Sequence, residues 1–172
     1  IIYSMYELLK KKYGQNFLID KNILIKISNL ILKNNLKIIE IGPGDGKLTD
    51  FILKYKPKEL KIIEIDNDLI PFLDLKFKDY ECITIINADV LNYDFIDKTD
   101  LIISNLPFNI SSQILIKICL MKQPPINLIL MFQKEFAQRL LDKKMNSLNA
   151  LVGCFYDINF KFNISKNCFR PI

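Results

Sequence analysis

The chain has 172 residues, half of them hydrophobic, and 24 Lys and Arg against 19 Asp and Glu give a formal net charge of +5. That length suffices for one domain with its own core, and the charge favours polyanionic over acidic partners. No His is present, which excludes Ser-His-Asp and Cys-His catalysis and His-ligated metal sites.

Arg occurs only at Arg139 and Arg170, and Ile, Lys and Asn dominate. That bias fits AT-rich coding, so the Lys excess is weak evidence for RNA. Cys82, Cys119, Cys154 and Cys168 are widely spaced and include no C-x-x-C pair. No zinc site or disulfide framework is expected, and free thiols fit a reducing compartment. Cys82, Cys119 and Cys154 lie in apolar runs and read as core.

The opening IIYSMYELLKKKYG places apolar residues before its Lys cluster, the reverse of a signal peptide. Residue 1 is not Met, so the numbering is expected to begin inside a longer chain, or the true start is Met5. Lys10–Lys12 reads as a phosphate contact or as a solvated terminus. The first 20 residues or so are expected to form an N-terminal arm. In DKNILIKISNLILK, Asp20 is a candidate N-cap before apolar residues at helical spacing. LKIIEI predicts a buried strand, followed by GPGDG and a helix over 47–55. ELKIIEID predicts a second strand, with a helix over 68–77. CITIINAD and DLIISN predict a third and a fourth, and a helix follows over 111–121. Pro124 and Pro125 end it, INLILMF predicts a fifth strand, and QKEFAQRLLDKK is helical again. Phe132, Phe136 and Leu140 read as core, and Glu135 and Arg139, four apart, as a surface ion pair. No apolar run reaches the length of a membrane span. Repeated strand–helix units predict an α/β domain, a mostly parallel sheet with helices on both faces.

Ligands of such sheets bind at the carboxyl ends of the strands, and four successive strand ends are polar here. The first opens into EIGPGDGKLT. Its glycines Gly42, Gly44 and Gly46 let the backbone turn tightly and let a ligand approach. A dinucleotide fingerprint is G-x-G-x-x-G, and Asp45 among these glycines would repel a pyrophosphate but suits a cation such as a sulfonium. The second strand ends in IEID, about twenty residues on. An acid there can accept both hydroxyls of a ribose, and alternation puts Glu64 and Asp66 on one face without choosing between them. The third ends in Asp89, placed to accept from an adenine amino group or to cap a turn. The fourth ends in Asn105, within SNLPFNISS.

The order of these features resembles the class I S-adenosylmethionine-dependent methyltransferases. More closely, it resembles the ribosomal RNA adenine dimethyltransferases of the KsgA type and their erythromycin-resistance relatives. KKKYGQNFLID, EIGPGDGKLT, IEIDNDLI, NADVL, SNLPFNISS, MFQKEFAQRL and CFRPI carry the resemblance, of which GQNFL with NLPFNIS is the most specific part. It implies a Rossmann-like fold and, as contacts to S-adenosylmethionine, Asn16, Leu18, Gly42, Gly44, Glu64, Asp89 and Asn105; this selects Glu64 over Asp66. GQNFL would fold over the cofactor from the N-terminal side. Asn105, Leu106, Pro107 and Phe108 would be the catalytic group. The Asn105 side-chain oxygen and the Leu106 carbonyl would accept the amine hydrogens, Pro107 would stiffen the turn, and Phe108 would stack on the base. The family usually has Tyr at the Phe108 position. DNA and protein-glutamine methyltransferases more often show Asn-Pro-Pro-Tyr, so Leu106 points to RNA.

The resemblance implies ribosomal RNA of the small subunit as partner, with a role in subunit maturation. No metal and no membrane are implied, and a monomer in a bacterial-type cytoplasm or an organellar matrix is expected. The family continues after F-x-P with a last antiparallel strand beside the fifth and a small helical domain. This sequence stops at Ile172, so residues 1–172 are expected to be the catalytic domain alone. The final strand of the seven and the helical domain would be absent, sheet edges exposed, and the sequence part of a longer protein rather than a naturally reduced one. MNSLNAL stands where the family has Tyr-Gly before its next helix. The competing readings are a large-subunit resistance methyltransferase, a non-catalytic RNA-binding assembly factor, and a nicotinamide oxidoreductase.

Overall fold

Ile-rich runs without polar alternation are what a parallel strand needs, because helices cover both of its faces. The computed structural model, which describes residues 16–170, places these runs in β2 (Lys37–Ile41), β3 (Glu59–Glu64), β4 (Ile83–Asn87), β5 (Leu101–Asn105) and β6 (Asn127–Met131). They form one parallel sheet in the order β4-β3-β2-β5-β6. Ile38 pairs with Leu60 on one side and Leu101 on the other, so β2 is the central strand. The chain fills one half of the sheet outward from β2, then returns to fill the other. The switch falls between β2 and β5, where open α/β sheets leave a crevice.

Alternation sends Ile38, Leu60, Ile62, Leu101 and Ile103 into one core layer. There they meet α1 (Lys21–Ser28), α2 (Lys47–Ile52) and α3 (Ile70–Phe77). Ile39, Ile41, Ile63 and Ile102 point the other way, onto Ile114 and Ile118 of α4 (Ser111–Cys119). Asp20 caps α1 as the sequence predicts, accepting from the Asn22 and Ile23 N–H groups at 2.9 and 3.1 Å. The helix expected over 47–55 ends at Ile52 and tightens into a 3-10 turn over Leu53–Tyr55. The expected 68–77 helix starts two residues later, at Ile70, with Pro71 in its first turn.

Three elements were not anticipated. β1 (Phe17–Leu18) and β7 (Phe169–Arg170) form a two-stranded antiparallel sheet apart from the main one. α6 (Ser147–Gly153) follows α5 (Lys134–Leu141). Asn146 starts α6 with a capping box shared with Asn149. Leu140, Leu148 and Val152 join Leu115 and Cys119 in a third cluster, on which Phe132 and Phe136 pack. Cys119 alone among the cysteines is buried. Cys82 is half-buried and Cys154 exposed, because Cys154 caps the end of α6, where the apolar face no longer meets the core. Glu135 and Arg139 are both exposed, and among the described residues they form no ion pair. β4 and β6 are the edges of the five-stranded sheet. Lys10–Lys12 and the Gly-Gln of GQNFL lie outside the described residues.

A candidate active site at the carboxyl edge of the sheet

The three glycines after β2 all have positive φ, 65° at Gly42, 57° at Gly44 and 70° at Gly46. A Cβ at Gly44 would stand 2.7 Å from the Phe17 ring, so the segment after GQ is seated directly on the turn. A Cβ at Gly42 would meet nothing within 4 Å. Its backbone faces open space in the cleft, as close approach of a ligand requires. Gly42 donates its N–H to the Ile63 carbonyl at 2.9 Å, which ties the turn to the end of β3.

Glu64 ends β3 and is 5% exposed. Its carboxylate accepts from the Asp66 N–H at 2.8 Å and the Gly44 N–H at 3.3 Å. Burial pushes its pKa up, while those N–H donors pull the other way. Asp66 does not line the cleft; it is buried and accepts from the Asp68 N–H at 3.2 Å, in the turn that leads to α3. The strand ends at Glu64, so alternation does not extend to Asp66.

The cleft is open to solvent. Asn16 and Leu18 line it from the N-terminal segment, Gly42 and Gly44 from the turn, and Glu64, Asp89 and Asn105 from the ends of three further strands. Leu106 and Pro107 line it beside Asn105. Phe108 does not line it; the ring is half-buried next to the turn. Asp89 accepts from the Leu91 N–H at 2.9 Å and from the Asn92 amide at 3.0 Å. The carboxylate therefore caps the turn after β4 and is held in one orientation. Asn105 donates its side-chain N–H to the Asn16 carbonyl at 2.7 Å. Ser104, just before it, donates to the Ile41 carbonyl at 2.6 Å and fixes the end of β5 to β2.

Sequence reasoning missed Glu40, Ile65 and Val90, all of which line the cleft. Ile65 is 41% exposed, an apolar side chain held open at a strand end beside Glu64. Glu40 is 1% exposed and accepts the Thr49 hydroxyl at 2.6 Å. Burial pushes its carboxyl up to about 8, against the hydrogen bond from Thr49 and the charge of Lys76. Asp45 pairs with Lys47, so its charge is met by a neighbour as well as facing the cleft.

Four carboxyl groups, Glu40, Asp45, Glu64 and Asp89, line this cleft, and no Lys or Arg among the described residues does. Burial keeps Glu40 largely protonated and Lys47 meets the charge of Asp45, so Glu64 and Asp89 are the acceptors that face a ligand's hydroxyl and amino donors. Among the described residues no group of His, Cys, Asp or Glu could hold a metal ion.

The profile of the ribosomal RNA adenine dimethylase family matches residues 7–172. The chain is 40% identical over 172 residues to ribosomal RNA small subunit methyltransferase A of Campylobacter jejuni strain RM1221, covering 94% of this chain and 64% of that protein. It is 44% identical over 168 residues to the protein of that name from Pelagibacter ubique, covering 94% and 63%. The chain thus spans less than two thirds of these relatives. Its fold is similar to a dimethyladenosine transferase from Plasmodium falciparum, with a TM-score of 0.67, 30% identity, and 74% of this chain and 46% of that one covered. It is also similar to the 23S rRNA methyltransferase ErmE, at a TM-score of 0.63, 26% identity and 71% and 50% coverage.

Proposed function

From the premise that this chain belongs to the ribosomal RNA adenine dimethylase family, with its class I methyltransferase fold, we propose that it methylates adenine amino groups of small-subunit ribosomal RNA. The observation that carries this reading is the carboxyl-lined cleft at the switch point, with Asn105 at its edge. The residues fit S-adenosylmethionine, which when bound supplies a methyl group carried on a cationic sulfur.

Glu64 accepts the ribose hydroxyls, and its hydrogen bond to Gly44 keeps the glycine turn in register with that contact. Asp89, oriented by its own turn, accepts from the adenine amine of the donor. Ile65 and Val90 flank that ring with apolar surface. Gly42 lets the main chain come close. Asn16 and Leu18 close the cleft from the N-terminal side.

The substrate amine is a poor nucleophile because its lone pair is delocalised into the base. Asn105 Oδ1 and the Leu106 carbonyl, aimed at its two hydrogens, localise that lone pair on nitrogen. Pro107 keeps the turn stiff; its carbonyl accepts the Ile110 N–H at 3.2 Å and the Ser111 hydroxyl at 2.9 Å. Phe108, half-buried outside the cleft lining, stacks on the base only where the base projects from the cleft mouth. Catalysis is then positioning and electrostatics. After transfer the nitrogen is positively charged and acidic, and its proton leaves to water, so no His is needed.

We place the protein where bacterial-type ribosomes mature, in the cytoplasm or an organellar matrix, acting as a monomer on the small subunit. The test is mass spectrometry of nucleosides after incubation with S-adenosylmethionine and unmethylated small or large subunits. Dimethyladenosine is expected in the small subunit only, reduced about 10²–10³-fold by Asn105→Ala. Product confined to the large subunit, or none from protein that binds the donor, would overturn the proposal.

A further inference from the structure

The Asn105 amide has two chemically different ends, and only one can accept from a substrate amine. What faces the other end therefore decides whether the residue works. Its N–H donates to the Asn16 main-chain carbonyl at 2.7 Å, across 89 positions of sequence. A carbonyl can only accept, so the NH2 end must face it, and Oδ1 is left as the end that receives the substrate N–H. The flipped amide would set two acceptors against each other.

Asn16 sits directly before β1, and β1 is two residues long. Its ladder partner is β7, with Phe17 opposite Arg170 and Leu18 opposite Phe169. The Ile19 N–H extends the pairing to the Cys168 carbonyl at 2.8 Å. On the other side, Phe17 lies on Gly44. β7 is itself held by a 3-10 turn over Lys166–Cys168, capped by Ser165, and by Phe162 and Ile164 packed on the core. None of Cys168, Phe169 and Arg170 lines the cleft. They reach it only through β1.

We propose that the β1–β7 ladder is a latch that orients the Asn105 amide through the Asn16 carbonyl, making Cys168, Phe169 and Arg170 positioning residues for methyl transfer. The role in transfer rests on the function proposed above; the latch itself is read without it. A two-stranded pairing this short is marginal alone, so one lost hydrogen bond at its end opens it.

The experiment is hydrogen exchange of side-chain amides in protein labelled with 15N-asparagine, the Asn105 signal being assigned by its loss in Asn105→Ser. The Asn105 amide is expected to exchange at least tenfold more slowly than that of the exposed Asn109. Ile19→Pro deletes the N–H given to Cys168, and proline keeps the preceding Leu18 extended, as β1 already holds it. In this variant the protection is expected to vanish while β2 and β3 main-chain amides stay protected. Methyl-transfer kcat should fall about tenfold, yet less than twofold when Ile19→Pro is added to Asn105→Ser. Wild-type Asn105 exchanging as fast as Asn109 overturns the latch, whichever variants fold. So does Ile19→Pro with protection and kcat intact, or an undiminished effect in the Asn105→Ser background. If Ile19→Pro fails to fold, Phe169→Gly must give the same pattern. A protected Asn105 that Ile19→Pro releases, in a protein that methylates nothing, supports the latch and overturns the methyl-transfer reading instead.

Discussion

Replacing Glu40 by Gln gives the sharpest energetic test of the site. The carboxyl is 1% exposed, and burial lifts it from an ordinary 4.5 to about 8. A proton held more tightly in the folded than in the unfolded chain stabilises the fold at low pH. That contribution is full below about 4.5, declines as pH rises, and is gone above about 8. The difference corresponds to about 5 kcal/mol, comparable to the whole stability of a small domain. Gln keeps the shape and an oxygen for the Thr49 hydroxyl, but does not titrate. The wild type should thus lose several kcal/mol more than Glu40→Gln between pH 5 and pH 8.5, leaving the variant the more stable at the alkaline end. Urea unfolding at half-unit pH steps, with the slope against denaturant held constant, reads this directly. Parallel stability curves for the two proteins would refute the reasoning: the carboxyl would then be solvated, or paired with Lys76 strongly enough to ionise normally.

Gly44→Ala should destabilise by about 2–3 kcal/mol, since it combines left-handed strain with a Cβ at 2.7 Å from the Phe17 ring. Gly42→Ala should show only the strain, about 1 kcal/mol, but should weaken donor binding at least as much as Gly44→Ala; thermal unfolding and calorimetric titration with S-adenosylmethionine check both. Glu64→Gln should lower donor affinity about tenfold or more, because an amide offers one acceptor where the Gly44 N–H, the Asp66 N–H and the ribose need more. Ile62→Ala, at a fully buried position of β3, should cost about 2–5 kcal/mol in denaturant unfolding without altering the donor affinity of the folded fraction.

The main sheet was legible because a parallel strand buried on both faces leaves an unbroken apolar run, and LKIIEI, ELKIIE and DLII are such runs. Glu64, Asp89 and Asn105 were legible as places because each ends one of them, and the structure brings all three to one cleft. β1 and β7 were not, since two residues carry no period and their pairing joins opposite ends of the described chain. α6 was missed because its start depends on Asn146 and Asn149 closing on each other's backbone, a contact that MNSLNAL does not announce in its spacing. Glu40 read as one more strand residue; only its burial against Thr49 sets it apart. Cys154 misled because an apolar neighbourhood in sequence ended at a helix terminus facing water.

The meeting of Phe17 with Arg170 also sets an order of events during synthesis. Chains fold from the N-terminus as they emerge, and contacts between distant positions form late. The five parallel strands are complete once Met131 is available, but β1 has no partner until residues 168–170 arrive. A nascent chain therefore builds its glycine turn and its strand ends first and closes the Asn16 side of the cleft last. The hydrogen bond between Asn16 and Asn105 is thus delayed until nearly all of the described chain has been made.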